Sequence, residues 1–156
     1  MSGARLGAAA LGVLFVLAYA GGSALWVQTN GGWYSALKRP WWQPPDVVFG
    51  LIWPYNFVVL GVALVLVAQR LSSVEVAVAL GCFAVSVVAA LGWSYLFYVS
   101  HQLGLSAVSL GIAALMTIPV LMLTFRASTI GGWLLLPYQV WVLIATSLAW
   151  GYSRLN

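Results

Sequence analysis

The placement of the charged residues constrains this chain more than any other feature of its sequence. All eight of them, six basic and two acidic, lie outside five long uncharged stretches. A helix needs roughly 20 apolar residues to cross the hydrocarbon core of a bilayer. We therefore predict transmembrane helices over residues 6–27, 47–69, 76–100, 103–125 and 133–152. With 63% hydrophobic residues and a mean hydropathy of +1.03, the predicted fold is an all-α integral membrane protein, one bundle of five helices over residues 1–156.

Two other interpretations of these stretches are less favoured. Strands of a membrane β-barrel alternate apolar and polar residues, whereas the five stretches are continuously apolar. The first stretch is longer than the 7 to 15 apolar residues usual in a signal peptide. We expect it to be retained as a membrane helix.

The basic residues indicate contact with lipid rather than with nucleic acid. They stand at the ends of the predicted spans and give a net charge of +4, which suits anionic head groups. A nucleic-acid surface requires clustered basic residues. The cations divide evenly between the two sides, so their bias leaves the orientation open; they are Arg5, Arg70 and Arg126 on one side and Lys38, Arg39 and Arg154 on the other.

The loop between the first two helices, residues 29–46, is unusually rich in aromatic residues and proline. From Trp33 to Pro45 it carries four Trp or Tyr rings, three prolines and two cations. Amphipathic rings favour the membrane interface, and each proline restricts the backbone. The loop is therefore predicted to be a stiff lid or interfacial plug on the bundle.

The spans contain no ionisable residue of the kind that marks pumps and ion-coupled transporters. No catalytic set, paired carboxylates or metal-ligand cluster can be assembled from the sequence. His101, at the end of the third span, is interpreted as a solvated helix-end residue, with axial ligation of a metal porphyrin as the alternative. The lone Cys82 excludes an intramolecular disulfide.

Aromatic residues recur at helical spacing in three of the spans. If the three helix faces converge, they line an apolar cavity to which Asn56, Tyr138 and Gln139 add polar groups. The alternative is that the rings simply pack between helices or face lipid. The faces consist of Trp53, Asn56 and Phe57 in the second span, Trp93 and Phe97 in the third, and Tyr138, Trp141, Ala145 and Leu148 in the fifth.

Three motifs together resemble the TspO/MBR family of tryptophan-rich sensory proteins and translocator proteins. They occur in the family's order and touch nearly the whole chain. They are Trp33-Tyr34, Leu37, Arg39-Pro40, Trp42, Pro44-Pro45, Phe49-Gly50 and Trp53; Trp93-Ser94, Leu96-Phe97-Tyr98, His101 and Gly104-Leu105; and Pro137-Tyr138, Trp141, Ala145-Thr146 and Leu148. The sequence departs from the family pattern at six positions, and several polar groups of that pattern are missing as a result. The positions are Arg39, Val47, Phe57, Ala90, Tyr95 and Ala149.

The resemblance implies a five-helix fold, frequent homodimers and a location that we expect to be a bacterial inner membrane. It also implies binding of tetrapyrroles such as porphyrin or haem, of sterols or of drug-like molecules, with no cofactor obligatory. By this resemblance, the lid is formed by Trp33, Pro40, Trp42, Pro44 and Pro45, and the cavity is lined by Trp53, Trp93, Phe97, Tyr138, Trp141 and Ala145.

Three functions follow as hypotheses. The first is a membrane receptor or sensor for a flat hydrophobic ligand. The second is an accessory subunit of a larger membrane complex, such as an energy-transducing or pigment-protein assembly. The third is a weak enzyme, because some bacterial family members are linked to light-dependent porphyrin breakdown; Trp33 and Trp141 are the matching positions here.

Overall fold

The computed structural model describes residues 3–27 and 32–156 and contains six helices in these ranges. Five are long and apolar enough to cross a membrane, which confirms the predicted fold class. The start of the predicted lid loop, at residues 29–31, lies outside the described residues. In chain order the helices are α1 (Gly3–Trp26), α2 (Gly32–Ala36), α3 (Asp46–Arg70), α4 (Ser73–Tyr98), α5 (Leu103–Ala127) and α6 (Thr129–Leu155).

Serine caps extend two helices beyond the predicted spans. The Ser72 side chain accepts a hydrogen bond from the backbone of Glu75, whose carboxylate accepts one in return from the Ser72 backbone, so α4 begins before residue 76. Ser128 accepts a hydrogen bond of 3.1 Å from the Gly131 backbone, and α6 therefore begins before residue 133. Hydropathy alone does not detect these polar first turns.

The five long helices form a closed ring in the order α1, α3, α6, α5 and α4. Each helix packs against the next, and α4 packs back against α1. Gly22 on α1 permits one close approach, because a Cβ at this position would lie 2.7 Å from Leu91 Cδ2 on α4. Small residues of this kind bring membrane helices together.

Buried polar side chains also join α5 to its neighbours. Gln139 on α6 donates to the Ala114 carbonyl over 3.0 Å, and its oxygen accepts from the Thr117 hydroxyl over 2.7 Å. From α4, Ser86 donates to the Ala113 carbonyl over 3.1 Å. Such bonds satisfy groups that lipid cannot satisfy.

The end of the bundle opposite the lid carries charged contacts. The Arg126 guanidinium lies 2.7 Å from the Glu75 carboxylate, and Arg70 donates to the Ala127 carbonyl over 3.1 Å. Arg5 donates to the Gln69 carbonyl over 2.7 Å. These bonds close the ends of α1, α3, α4 and α5, which leaves the other end of the bundle for the candidate site.

Candidate functional site

A cavity of about 580 Å³ lies under the lid, where α1, α4 and α6 end and α3 begins. Its walls come from these four helices and from the lid, and α5 supplies none of the described residues that line it. The volume falls within the roughly 300–1,000 Å³ typical of small-molecule sites. The cavity is therefore large enough for a ligand rather than for a few water molecules.

Tryptophans from three helices meet at this cavity, which is one of the two arrangements that the sequence leaves open. Trp53 on α3, Trp93 on α4 and Trp141 on α6 all line it. Trp53 stacks on Phe57 with ring centroids 5.6 Å apart, and Trp141 meets Phe49 edge to face at 5.1 Å. These contacts hold the rings in place and make the walls rigid and apolar.

Most of the other predicted lining residues are also in the cavity wall. Phe57, Phe97, Ala145 and Leu148 face it from α3, α4 and α6. Two indole nitrogens of the wall, those of Trp93 and Trp141, are buried and lack a hydrogen-bond partner among the described residues.

Asn56 and Tyr138 lie in the helix core and not in the cavity wall. Asn56 is fully buried, and neither amide atom has a partner in the described part of the chain. At 100° per residue, Asn56 and Phe57 point in clearly different directions on α3. Tyr138 precedes Trp141 by nearly one turn of α6 and is buried in the helix core. Gln139 serves the α5–α6 contact described above.

The lid packs on the end of α6. Pro40 is buried, and both Pro40 Cγ and Trp42 Cζ2 would lie 2.8 Å from a Cβ at Gly151. The Trp42 indole donates to the Ser147 hydroxyl over 3.2 Å. The absence of a side chain at Gly151 therefore allows Pro40 and Trp42 of the lid to pack against α6.

Two residues at the end of α6, Tyr152 and Asn156, also bind the lid. The Tyr152 hydroxyl donates to the side-chain oxygen of Gln43 and lies 3.3 Å from the Tyr34 hydroxyl. The Asn156 carboxamide makes two hydrogen bonds with the Lys38 backbone. It accepts one from the Lys38 nitrogen over 2.9 Å and donates one to the Lys38 carbonyl over 3.2 Å. The prediction that this segment folds onto the bundle is confirmed.

The five lid residues implied by the resemblance, Trp33, Pro40, Trp42, Pro44 and Pro45, do not line the cavity. Trp33 stacks on His101 with ring centroids 3.9 Å apart and meets Phe97 edge to face at 5.6 Å. Pro44 and Pro45, with Pro40, border a shallow groove on the outer surface. Trp41 is 91% exposed and suits the membrane interface.

Several lining residues were not predicted. Tyr152 and Ala149 continue the face of α6 beyond Leu148, so a longer window of the same period finds them. The wall from α1 consists of Ala20, Ser23 and Ala24, which a sequence cannot distinguish from packing residues. From the lid and the start of α3 come Tyr34, Arg39, Gln43, Asp46, Phe49 and Gly50, and from α4 comes Tyr98.

The polar groups of the site are concentrated at its mouth. Arg39 and Asp46 form a loose ion pair of 3.7 Å, and the Arg39 guanidinium lies 5.7 Å from the centre of the Tyr34 ring. Both charged side chains are substantially exposed, so their pairing contributes little. The arrangement can bury an apolar body among aromatic rings and hold a polar end at the mouth.

A ring of five membrane helices with a lidded aromatic cavity defines a class of small integral membrane proteins with a ligand-sized pocket. The family model of the TspO/MBR family matches residues 10–155. The chain belongs to this family.

Curated relatives from different organisms are similar over most of the chain. "Protein CrtK" of Rhodobacter capsulatus is 27% identical over 145 residues, which cover 92% of this chain and 91% of the relative. A "Tryptophan-rich sensory protein" of Cereibacter sphaeroides is 29% identical over 124 residues, 80% of this chain and 77% of the relative. The human "Translocator protein" is 28% identical over 130 residues, 80% of this chain and 75% of the relative.

Proposed function

We propose that this protein is a membrane receptor or sensor that holds a flat hydrophobic ligand, either a tetrapyrrole such as a porphyrin or haem or a sterol-like molecule. One observation carries the proposal: Trp53, Trp93 and Trp141 converge from three helices on one cavity of about 580 Å³. Rings that served only helix packing would not need to leave this volume between them.

Apolar burial supplies most of the expected affinity. Each Å² of apolar surface removed from water contributes about 25 cal/mol, and stacked aromatic contacts add roughly 0.5–1.5 kcal/mol each. The walls are suited to both terms, since α3, α4 and α6 present rings to the cavity. Flat aromatic ligands gain more from such walls than flexible chains do.

The polar groups favour one orientation of the ligand. Tyr34, Arg39 and Gln43 stand at the mouth, whereas the deep wall is formed by rings and small side chains. A ligand with a carboxylate or carbonyl at one edge would place that edge towards Arg39. The indole N–H groups of Trp93 and Trp141, which find no acceptor within residues 3–27 and 32–156, also favour a ligand that carries hydrogen-bond acceptors.

The family and its names agree with a receptor role. One relative is named a sensory protein and another a translocator protein. We extend the proposal to a location in a bacterial inner membrane, with bound lipid and a second copy of the chain as partners and no obligatory cofactor. Light-dependent porphyrin breakdown is not required by the proposal.

Titration of protoporphyrin against tryptophan fluorescence tests the proposal. We expect saturable quenching in the wild type, and a loss of affinity of about tenfold or more in Trp53→Ala, Trp93→Ala and Trp141→Ala. Trp26→Ala is the matched control, because Trp26 meets Tyr95 at 5.7 Å and does not line the cavity. Helical content and thermal unfolding establish that each variant is folded. No saturable quenching in the wild type, or equal losses in all four variants, would reject the receptor.

An accessory subunit is the second candidate. It is favoured by large rings on the outer surface, with Trp41 91%, Trp133 62% and Trp150 50% exposed. Purification from the native membrane in mild detergent separates the candidates. A stoichiometric partner chain supports the subunit, whereas a bound pigment on the isolated protein supports the receptor.

A further inference from the structure

The end of the cavity that faces water is closed by the lid. Pro40 is buried against Gly151, and Trp42, Gln43 and Lys38 are hydrogen-bonded to α6. A ligand that arrives from water must break several of these contacts together. A passage through the side of the bundle need not disturb them.

The exposed part of the cavity wall lies along α1 and α3, and we refer to it as the gap between these two helices. Its exposed lining residues are Ala24 on α1, Val27 just after α1, Asp46 and Gly50 on α3, and Arg39 in the lid. The described lining residues of α4 and α6 are buried or half-buried. A Cβ built at Gly50 meets no atom within 4 Å, so open space adjoins this helix. On the other side of the gap α1 presents only the short side chains of Ala20, Ser23 and Ala24.

The surface around this gap is apolar. Leu25 on α1 is 73% exposed, and on α3 Val47 and Leu51 are 67% and 72% exposed. Large apolar side chains on the outside of a membrane helix face lipid. Gly50 lies four residues after the start of α3, or about 6 Å into the helix, which is close to the boundary between head groups and hydrocarbon.

We propose that the ligand enters and leaves the cavity sideways from the bilayer, through the gap between α1 and α3 at Ala24 and Gly50. The inference rests on the proposed function, because it concerns the ligand of the same cavity. It specifies the ligand class further: a membrane-dissolved amphiphile with a flat apolar body and a polar edge. Arg39 and Asp46 line the cavity at the interface, where such an edge resides in the bilayer.

A bulky side chain at Gly50 tests this route. The protein is reconstituted in lipid vesicles, and protoporphyrin is delivered from a second set of vesicles while tryptophan quenching is followed by stopped flow. For Gly50→Phe we expect association and dissociation to slow together by at least about tenfold, because a blocked passage raises the barrier in both directions, whereas loss of cavity volume alone would weaken binding and speed dissociation.

Gly61→Phe is the matched control. Gly61 is also on α3 and a Cβ there meets nothing within 4 Å, but it lies about 16 Å deeper along the same helix face and does not line the cavity. Its rates should equal those of the wild type. If Gly50→Phe does not fold, Ala24→Leu obstructs the same gap from α1 and should slow both rates.

Asn156→Ala provides the test of the competing route, because it removes both lid bonds to Lys38. Rates that stay at the wild-type value support the lateral route. Faster exchange in Asn156→Ala, or wild-type rates in Gly50→Phe, would overturn it. A wild type that shows no saturable quenching instead rejects the proposed function, so the two failures are distinguishable.

Discussion

At the scale of single residues, the site combines satisfied and unsatisfied polar groups. Gln139 has partners for both atoms of its carboxamide in the α5–α6 contact, whereas the fully buried Asn56 has none in the described part of the chain. Leaving a buried polar group unpaired costs about 1–3 kcal/mol. A residue that breaks the rules of packing often serves function instead.

Replacing Asn56 with Leu should therefore stabilise the free protein. The change removes an amide without a partner in the described residues and keeps the branched shape of the side chain, so we expect the melting temperature to rise by about 3–10 °C. Thermal unfolding in detergent measures it. Weaker protoporphyrin binding in the same variant would mean that Asn56 reaches the ligand, whereas a lower melting temperature would show that the amide has a partner in the free protein.

Ala145 should tolerate no large side chain if the cavity holds ligand. It lines the cavity from α6, so Ala145→Phe fills part of the volume and should weaken protoporphyrin binding by about tenfold or more. Leu143→Phe is the control, because Leu143 is 51% exposed on the outer face of the same helix. Unchanged affinity in Ala145→Phe would place the ligand elsewhere.

At the scale of elements, the lid and the end of α6 act as one unit. The described part of the lid contains one short helix, α2, and its position depends on contacts with Ser147, Gly151, Tyr152 and Asn156. Its prolines limit the conformations open to the free loop, so fewer contacts are needed to hold it.

Gly151→Ala should loosen the lid. A Cβ at 2.8 Å from both Pro40 and Trp42 overpacks the contact by about 1–3 kcal/mol, so the open lid becomes roughly tenfold more populated. Trypsin should then cleave after Lys38 faster than in the wild type. Gly111→Ala is the control, because its Cβ meets only Thr146 at 3.7 Å. Equal rates of cleavage in Gly151→Ala and Gly111→Ala would contradict the packing of the lid against Gly151.

At the scale of the whole molecule, the bundle is closed at one end and hollow at the other. An ion pair and two hydrogen bonds to carbonyls join the helix ends far from the lid, while α1, α3, α4 and α6 surround the cavity near it. The side chains around the cavity lack the dispersion contacts that they would make in a filled core. A ligand that fills the cavity should stabilise the entire bundle.

Protoporphyrin should accordingly raise the melting temperature. At a concentration of 100 times Kd, binding to the native state alone contributes about 2.7 kcal/mol, or roughly 5–10 °C for a chain of this size. A thermal shift series in detergent measures it. The shift should be smaller in Ala145→Phe at the same ligand concentration, and an equal shift in both proteins would argue for binding outside the cavity.

The sequence alone determined the helices and much of the cavity wall. Hydrophobic length and the exclusion of charge are local properties, so the five spans follow from composition along the chain. The 3.6-residue period likewise determines which side chains share a face, as for Trp53 and Phe57 on α3, which both line the cavity.

Only the tertiary structure decided which faces meet. The order of the helices around the ring excludes α5 from the cavity and makes the small residues of α1 a wall, and no local pattern encodes that order. Helix rotation turns Asn56 and Tyr138 into the core although they share a stripe with lining residues. The pairing of Asn156 with Lys38 joins residues far apart in the chain, and such contacts exist only once the bundle has brought the two segments together.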